Sequence, residues 1–122
     1  MIIRNGIDLV EVARIEKSMR NPRFMGRCFS AAERSLFAES ARPAQRAAAH
    51  FAAKEAFAKA LGTGVRGFRL QEVEVLRDEL GAPILRLTGS AAEIAARSGL
   101  EFALSISHTA DHAVAMVTAY SR

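Results

Sequence analysis

The segment from Arg42 to Leu61 constrains the fold most, because it is rich in alanine and bounded by residues that start and stop helices. Alanine is the best helix former, Pro43 suits a first helical turn, and Gly62 suits the position just past a helix end. Since 24 of the 122 residues are Ala, the hydrophobic fraction of 50% contains fewer large core-forming side chains than it suggests. We therefore expect one long helix, with the rest of a small core packed on it.

The remaining periodicity predicts short strands and helices on both sides of this helix. In chain order we expect a strand at 2–10, a helix at 11–20 that ends at Asn21-Pro22, and a helix at 31–38 that begins with the capping box Ser30 to Glu33. A hairpin around 73–75 and 85–87, a helix that begins at Thr88 or Ser90 and ends near Arg97, and strands at 102–108 and 114–120 follow. The order β-α-α-α-β-β-α-β-β predicts one domain over residues 1–122. Its class is α/β (α+β), with a mostly antiparallel sheet packed on the long helix.

The basic excess lies in the first half of the chain, which carries 11 basic and 6 acidic residues up to Ala60, against 6 basic and 7 acidic after it. Such a distribution favours an anionic partner: nucleic acid, an acidic protein or a phosphorylated small molecule. The single Cys28 excludes a disulfide framework and a cysteine-rich zinc site. The chain has no apolar run of membrane-spanning length and no signal-peptide pattern at its N-terminus, so a cytoplasmic protein is expected.

Three features of the first 64 residues could carry chemistry. Asp8 lies in an apolar strand, where a carboxylate is costly unless it is paired, bound to metal or at the strand edge. Glu55 and Lys59 are four apart on the long helix and share a face, as a surface pair or as a site. The chain has 14 Arg and only 3 Lys, so Lys54 and Lys59 in one segment indicate a need for compact ammonium groups. The turn Gly62-Thr63-Gly64 is either a helix end or a phosphate contact.

Two further groups are less specific. Ser107 and His108 are adjacent in a strand and point to opposite faces, which makes a serine nucleophile with a histidine base a weak interpretation. His108 could instead meet a phosphate. The basic stretch from Arg14 to Arg27, interleaved with Met and Phe, suits RNA or an acidic helix of a partner protein, or is a solvated helix face.

Four motifs occur in order along nearly the whole chain. They are Gly6-Ile-Asp8 followed by Arg14-Ile15, Phe29-Ser-Ala-Ala-Glu33, Phe51-Ala-Ala-Lys-Glu55 through Lys59-Ala-Leu-Gly-Thr-Gly64, and Ser105-Ile-Ser-His108. Together they resemble the holo-acyl-carrier-protein synthase family of 4′-phosphopantetheinyl transferases, of the short single-domain type that forms homotrimers.

The resemblance implies transfer of the 4′-phosphopantetheine arm of coenzyme A to a serine of apo acyl carrier protein, with release of adenosine 3′,5′-bisphosphate, in fatty acid biosynthesis. It implies Asp8 and Glu55 as Mg²⁺ ligands, Lys59 near the pyrophosphate, and Glu55 as the candidate base, directly or through a metal-bound water. It implies active sites between protomers. Coenzyme A contacts would come from Arg46, His50, Lys54, Lys59, Gly62, Thr63, Gly64, Pro83, Ser107 and His108. Carrier docking would use Arg14, Arg23, Phe24 and Arg27.

The chain departs from the family at His50, where Arg commonly contacts a coenzyme A phosphate. That contact would be weaker and pH-dependent, or be supplied by Arg46. The alternative is a non-enzymatic basic module that binds RNA or an acidic protein. Such a module would not account for Asp8 or for the Glu55 and Lys59 pair.

Overall fold

The computed structural model describes residues 1–122 as five strands, five α-helices and one 3-10 helix. They are β1 (Ile3–Glu11), α1 (Val12–Ser18), α2 (Pro22–Cys28), α3 (Ala31–Glu39), α4 (Pro43–Leu61), the 3-10 helix Leu70–Glu72, β2 (Val73–Arg77), β3 (Pro83–Leu87), α5 (Gly89–Ser98), β4 (Glu101–His108) and β5 (His112–Tyr120). An antiparallel sheet has the strand order β1-β5-β4, and β2 and β3 form a separate antiparallel hairpin. None of the helices combines the length and the apolar character needed to cross a membrane.

The predicted α+β class and the long helix are confirmed, and one helix is added to the predicted order. Helix α1 ends at Ser18, shortly before Asn21-Pro22, and these two residues also begin α2. The Asn21 side chain accepts a hydrogen bond from the Arg23 amide at 3.0 Å, and Pro22 occupies the first turn. The capping box is confirmed, since Ser30 and Glu33 satisfy each other's backbone amides at the start of α3.

Helix α4 lies directly on the sheet because the facing residues are small. The inner face of β5 carries Ala113, Ala115, Val117 and Ala119, all buried. On β1, a Cβ at Gly6 would overlap Ala56 O and lie 2.6 Å from Ala60 N, so only glycine allows the strand backbone to touch the helix backbone here. This contact fixes how closely the side chains beside Gly6 approach α4.

Several large apolar side chains of β1 and β5 lie on the other face of the sheet, which we call the outer sheet face, whereas Phe102, Leu104 and Ile106 of β4 face the core. Ile3, Ile7 and Leu9 of β1 are 62%, 58% and 66% exposed, and Met116 of β5 is 43% exposed. One face of this antiparallel sheet therefore covers α4, while the other presents a contiguous apolar surface without a partner in the single chain.

Candidate active site

Asp8, Glu55 and Lys59 meet where β1 passes over the second half of α4. Asp8 follows Gly6 by two residues on the same side of β1, so the close approach at Gly6 delivers its carboxylate to α4. Lys59 Nζ lies 3.3 Å from Asp8 Oδ1 and donates to Ile7 O at 2.9 Å. Glu55 lies four residues before Lys59 on the same face of α4, close enough to Asp8 for the two carboxyl charges to interact.

Burial raises the pKa of the Glu55 carboxyl, and the charge of Asp8 raises it further. Lys59 and Arg14 oppose that shift without cancelling it. Two carboxylates that repel one another, flanked by one ammonium group, form a site in which added positive charge would be favourable.

The donor set of this site consists of oxygen alone. Nowhere in the chain do three or more His, Cys, Asp or Glu side chains come together as a metal cluster, so Asp8 and Glu55 act as a pair. Mg²⁺ commonly uses one or two carboxylates and completes its shell with phosphate oxygens and water. The chemistry of this pair therefore fits Mg²⁺, with most of the shell left for a phosphorylated ligand.

In the turn that follows α4, only some of the backbone N–H groups are available to donate to a phosphate. Gly62 adopts a left-handed conformation with φ of 89°, which ends the helix as predicted. Its N–H donates to Ala58 O and Lys59 O, so this amide is unavailable to a phosphate. Thr63 and Gly64 are exposed, although the Thr63 hydroxyl donates to Gly64 O at 3.0 Å.

A second concave site, which we call the cationic cavity, lies near the start of α4. It has a volume of about 320 Å³ and combines four basic side chains with no acidic one. Arg46 Nε is buried there without a hydrogen-bond partner, and none of the three arginines forms an ion pair. An unpaired buried guanidinium nitrogen among like charges indicates a binding site for an anion. The lining residues are Ser40, Arg42, Gln45, Arg46, Ala49, Arg77, Ile106 and His108.

The cavity brings together two of the predicted coenzyme A contacts, Arg46 and His108. Ser107 points to the opposite, exposed face of β4, as expected from its adjacency to His108, and lies outside the cavity. Pro83 pairs with Arg77 at the end of the hairpin but does not line the cavity. Arg42 and Arg77 were missed from the sequence, since they come from separate elements and belong to no motif.

Lys54 and His50, which the sequence predicted as coenzyme A contacts, are buried in the interior of the chain. Lys54 has no exposed surface and His50 has 1%. Lys54 Nζ donates to Glu33 Oε1 at 2.6 Å, to Val73 O at 2.6 Å and to Leu70 O at 2.9 Å. His50 Nδ1 lies 2.8 Å from Glu33 Oε2. We call Glu33, His50 and Lys54 the α4 network.

Charge in the α4 network is set by burial and mutual contact. Burial alone would raise the pKa of Glu33, but hydrogen bonds from His50 and Lys54, together with the Lys54 charge, outweigh it and hold the pKa below its ordinary value. Burial lowers the pKa of His50, so the neutral ring donates its Nδ1 proton to Glu33. Burial also lowers the pKa of Lys54, yet its nitrogen meets three acceptors, which matches the three donors of an ammonium group.

The basic stretch forms an exposed surface on α1 and α2. Arg14, Arg23 and Arg27 are exposed and take part in no ion pair. The same holds for Lys17 and Arg20. Phe24 is half-buried, with its ring 5.8 Å from Phe29 and 5.9 Å from Phe51, so it presents only an edge beside the arginines. The arginines among the predicted docking residues are thus all exposed, on two consecutive helices.

The carboxylate pair and the cationic cavity lie on opposite faces of α4. Arg46 precedes Glu55 by nine residues, which is about 180° around an α-helix and about 13.5 Å along its axis. Lys59 is only about 40° from Glu55. A ligand that contacted both sites of one chain would have to pass around a helix that other elements cover.

Known proteins are similar to this chain over nearly its whole length. Residues 4–117 match the 4′-phosphopantetheinyl transferase superfamily. A holo-[acyl-carrier-protein] synthase of Caldanaerobacter subterraneus subsp. tengcongensis is 42% identical over 116 residues, covering 93% of this chain and 91% of that protein. The crystal structure of the Neisseria meningitidis holo-[acyl-carrier-protein] synthase has a TM-score of 0.90 at 32% identity, over 97% of this chain and 98% of that one.

A structure with a bound nucleotide is also similar. The Bacillus anthracis holo-(acyl-carrier-protein) synthase in complex with CoA (3′,5′-ADP) has a TM-score of 0.81 at 35% identity, over 98% of this chain and 96% of that one. The chain therefore belongs to the 4′-phosphopantetheinyl transferase superfamily, and within it to the holo-[acyl-carrier-protein] synthase enzymes.

Proposed function

We propose that this enzyme transfers 4′-phosphopantetheine from coenzyme A to a serine of apo acyl carrier protein in a Mg²⁺-dependent reaction. The observation that carries the proposal is the meeting of Asp8, Glu55 and Lys59 beside the turn that follows α4. Relatives named for this activity, and solved structures of relatives with coenzyme A, support the choice of substrates.

The residues suit a displacement at phosphorus. The serine oxygen attacks the phosphorus that bears pantetheine, the bond to the adenosine 3′,5′-bisphosphate leaving group breaks, and the serine proton must be accepted. Glu55 is the candidate acceptor, because its raised pKa makes it a stronger base than an ordinary carboxylate. Lys59, which is 55% exposed beside Asp8, can place its ammonium group against the pyrophosphate of coenzyme A and neutralise the charge that develops on the leaving adenosine 3′,5′-bisphosphate. Mg²⁺ held by Asp8 and Glu55 would supply further charge neutralisation.

The cationic cavity suits the adenosine bisphosphate end of coenzyme A. Arg42, Arg46, Arg77 and His108 surround a space without any carboxylate, and forked guanidinium groups bind phosphate bidentately. Its phosphate-binding groups would therefore include two arginines, Arg42 and Arg77, beyond those that the sequence predicted. Arg46 also offers a cation where His50 has turned inward.

We further propose that the working enzyme is a homotrimer whose active sites form between protomers. The carboxylate pair and the cationic cavity lie on opposite faces of α4, so a coenzyme A that reaches both fits two neighbouring chains better than one. The outer sheet face supplies an apolar surface for that contact, through Ile3, Ile7, Leu9 and Met116. Ring closure with three copies needs heterologous contacts, in which different patches of each chain meet.

Carrier docking is assigned to the exposed basic surface of Arg14, Arg23 and Arg27, with the Phe24 edge beside it. An acidic helical carrier would be steered to this surface by charge, which affects the association rate more than the chemistry. The serine of the docked carrier would then need to reach the carboxylate pair. Arg14 lies close enough to that pair for its charge to lower the pKa of Glu55.

The transfer reaction is tested by incubating the protein with coenzyme A, Mg²⁺ and apo carrier, and by weighing the carrier with mass spectrometry. We expect a gain of the phosphopantetheine mass that disappears with a Mg²⁺ chelator and with Glu55→Gln. Glu93→Gln is the matched control, because Glu93 is exposed on α5 and forms no ion pair. Absence of the mass gain in protein shown by circular dichroism to be folded would refute the proposed activity.

Sharing of sites between protomers is tested by complementation. Glu55→Gln removes one half of the site, and the double variant Arg46→Ala/Arg77→Ala removes the other. If each site uses Glu55 of one chain and the cavity of another, co-refolding the two inactive proteins at equal amounts restores about a quarter of the sites. No recovery above either parent, in an assembly that sedimentation shows to be mixed, would contradict shared sites.

A further inference from the structure

The α4 network is the largest feature of the interior that the proposed chemistry does not use. It joins three elements: Glu33 comes from α3, His50 and Lys54 from α4, and the carbonyls of Leu70 and Val73 from the 3-10 helix and the start of β2. The pair of Lys54 and Glu33 is fully buried. A buried ion pair adds little net stability compared with well-packed apolar residues, so its presence indicates a gain in structural specificity.

That specificity matters where α4 packs on β1 and β5, because the residues that meet there are small, whereas the large Phe57 packs against Phe68 and Phe102. The face of α4 that packs on the sheet carries alanines at intervals of three or four residues, so a slide by one turn, about 5.4 Å, would place one methyl group where another had been. The backbone contact of Gly6 with Ala56 and Ala60 would likewise recur at another turn. The buried alanines of this helix include Ala49, Ala52, Ala53, Ala56 and Ala60.

Directional hydrogen bonds remove this ambiguity. Lys54 Nζ can meet Glu33, Leu70 O and Val73 O together only in one rotation and one axial position of α4. The neighbouring residue, Glu55, is then fixed by the backbone toward β1, where Asp8 approaches. A one-residue slip of α4 would move Glu55 by about 1.5 Å along the axis and turn it by about 100°.

We propose that Glu33, His50 and Lys54 are positioning residues that set the register of α4 on β1 and thereby hold Glu55 opposite Asp8. The proposal rests on the proposed function only in taking Asp8 and Glu55 as the reacting pair. The network is buried and acts through the placement of the helix.

Register is measured directly by NMR in the full-length protein without metal or substrate. The α-proton of Gly6 that occupies the Cβ direction lies close to the Ala60 amide, since that direction ends 2.6 Å from Ala60 N. A nuclear Overhauser cross-peak between these protons reports the register of α4 on β1. It is compared in the wild type, Lys54→Met and the triple variant Glu33→Leu/His50→Phe/Lys54→Met, which has no buried charge left in the network.

Leu100→Ala is the control for lost stability. Leu100 is buried before β4 and takes no part in the hydrogen bonds of the network, so this variant loses core packing without losing directional bonds. All proteins are compared at a temperature where circular dichroism shows them folded. We expect the cross-peak to weaken or vanish in the network variants, and kcat for transfer to fall by about tenfold or more, with KM for the carrier unchanged. Leu100→Ala keeps both the cross-peak and kcat.

A cross-peak of wild-type intensity in a folded network variant, or a kcat no lower than that of Leu100→Ala, would overturn the proposal. If Lys54→Met fails to fold because Glu33 is left unpaired, the triple variant decides the question. If the wild type shows no transfer at all, the proposed function has failed, and the cross-peak by itself still decides whether the network sets the register.

Discussion

Gly6→Ala places a methyl group where the backbone of β1 rests on the backbone of α4. The nearest atoms to the new Cβ are Ala56 O and Ala60 N, at the centre of a helix, with Lys59 Cβ at 2.9 Å. None of these is the free end of a flexible side chain, so the strand itself must retreat. Restoring ordinary contact with Ala60 N means increasing 2.6 Å to at least 3.4 Å, a displacement of 0.8 Å or more.

This displacement has a consequence for stability and a larger one for catalysis. Overpacking a core by one methyl group costs about 1–3 kcal/mol, and rigid backbone on both sides favours the upper part of that range. For a domain of this size the melting temperature should fall by roughly 8–12 °C. Asp8 moves with Gly6, and a misplacement of about 1 Å at a reacting site lowers the rate by about 10²-fold.

Differential scanning calorimetry and the mass-spectrometric transfer assay measure the two effects on the same samples. Gly26→Ala is the matched control, because Gly26 lies in α2 with no atom within 4 Å of its Cβ direction and without a positive φ. That variant should be neutral or more stable by up to about 1 kcal/mol, with unchanged kcat. If Gly6→Ala behaves like Gly26→Ala in both measurements, the close approach of β1 to α4 is not what positions Asp8.

Three further outcomes are expected. Glu55→Gln should raise the melting temperature of the metal-free protein near pH 7.5 but not near pH 4. The pKa of Glu55 is raised in the folded state, so the stability of the wild type falls as the pH rises from the ordinary pKa of Glu to the folded pKa. Equal shifts in melting temperature at both pH values would contradict this. Glu33→Gln should destabilise the protein by about 3–5 kcal/mol at neutral pH in denaturant titrations, since the ionised Glu33 stabilises above its unfolded pKa. That stabilisation is lost as pH falls through the lowered folded pKa, so the variant should show the weaker acid dependence. Arg27→Ala should raise KM for the carrier at low salt and much less at high salt, with kcat unchanged. A change in KM that does not depend on salt in steady-state kinetics would count against docking by charge.

The carboxylate pair could be predicted from the sequence because each half has a local signal. Gly6 and Asp8 stand out in an apolar strand, and Glu55 and Lys59 have the spacing of one helix face. The excess of Lys on α4 also proved informative, but only one of the two lysines faces solvent. Lys54 and Glu55 are neighbours about 100° apart, so the sequence could not tell which side of the helix the sheet would cover.

The cationic cavity and helix α2 could not be predicted from local sequence patterns. Arg42 and Arg46 begin α4, whereas Arg77 ends β2 and His108 ends β4, and only the tertiary fold brings these three positions together. Asn21-Pro22 was interpreted as a helix stop, which is correct for α1. The same pair also has the chemistry of a helix start, because Asn can cap and Pro suits the first turn. Residue propensities alone cannot tell whether such a pair follows the end of one helix, precedes the start of another, or does both.

Small residues on one face of the sheet position the carboxylate pair, and the apolar residues on its other face are available to the proposed assembly. Small residues on α4 and on the inner face of β5 let helix and sheet backbones approach closely, which is what allows Asp8 to reach Glu55 and Lys59. On the other face of the sheet, Ile3, Ile7, Leu9 and Met116 are exposed in the single chain. A chain of 122 residues buries only part of its apolar surface on folding, and covering this face with further copies would complete its burial. The association that we propose would also bring the cationic cavity of a neighbouring chain to the carboxylate pair.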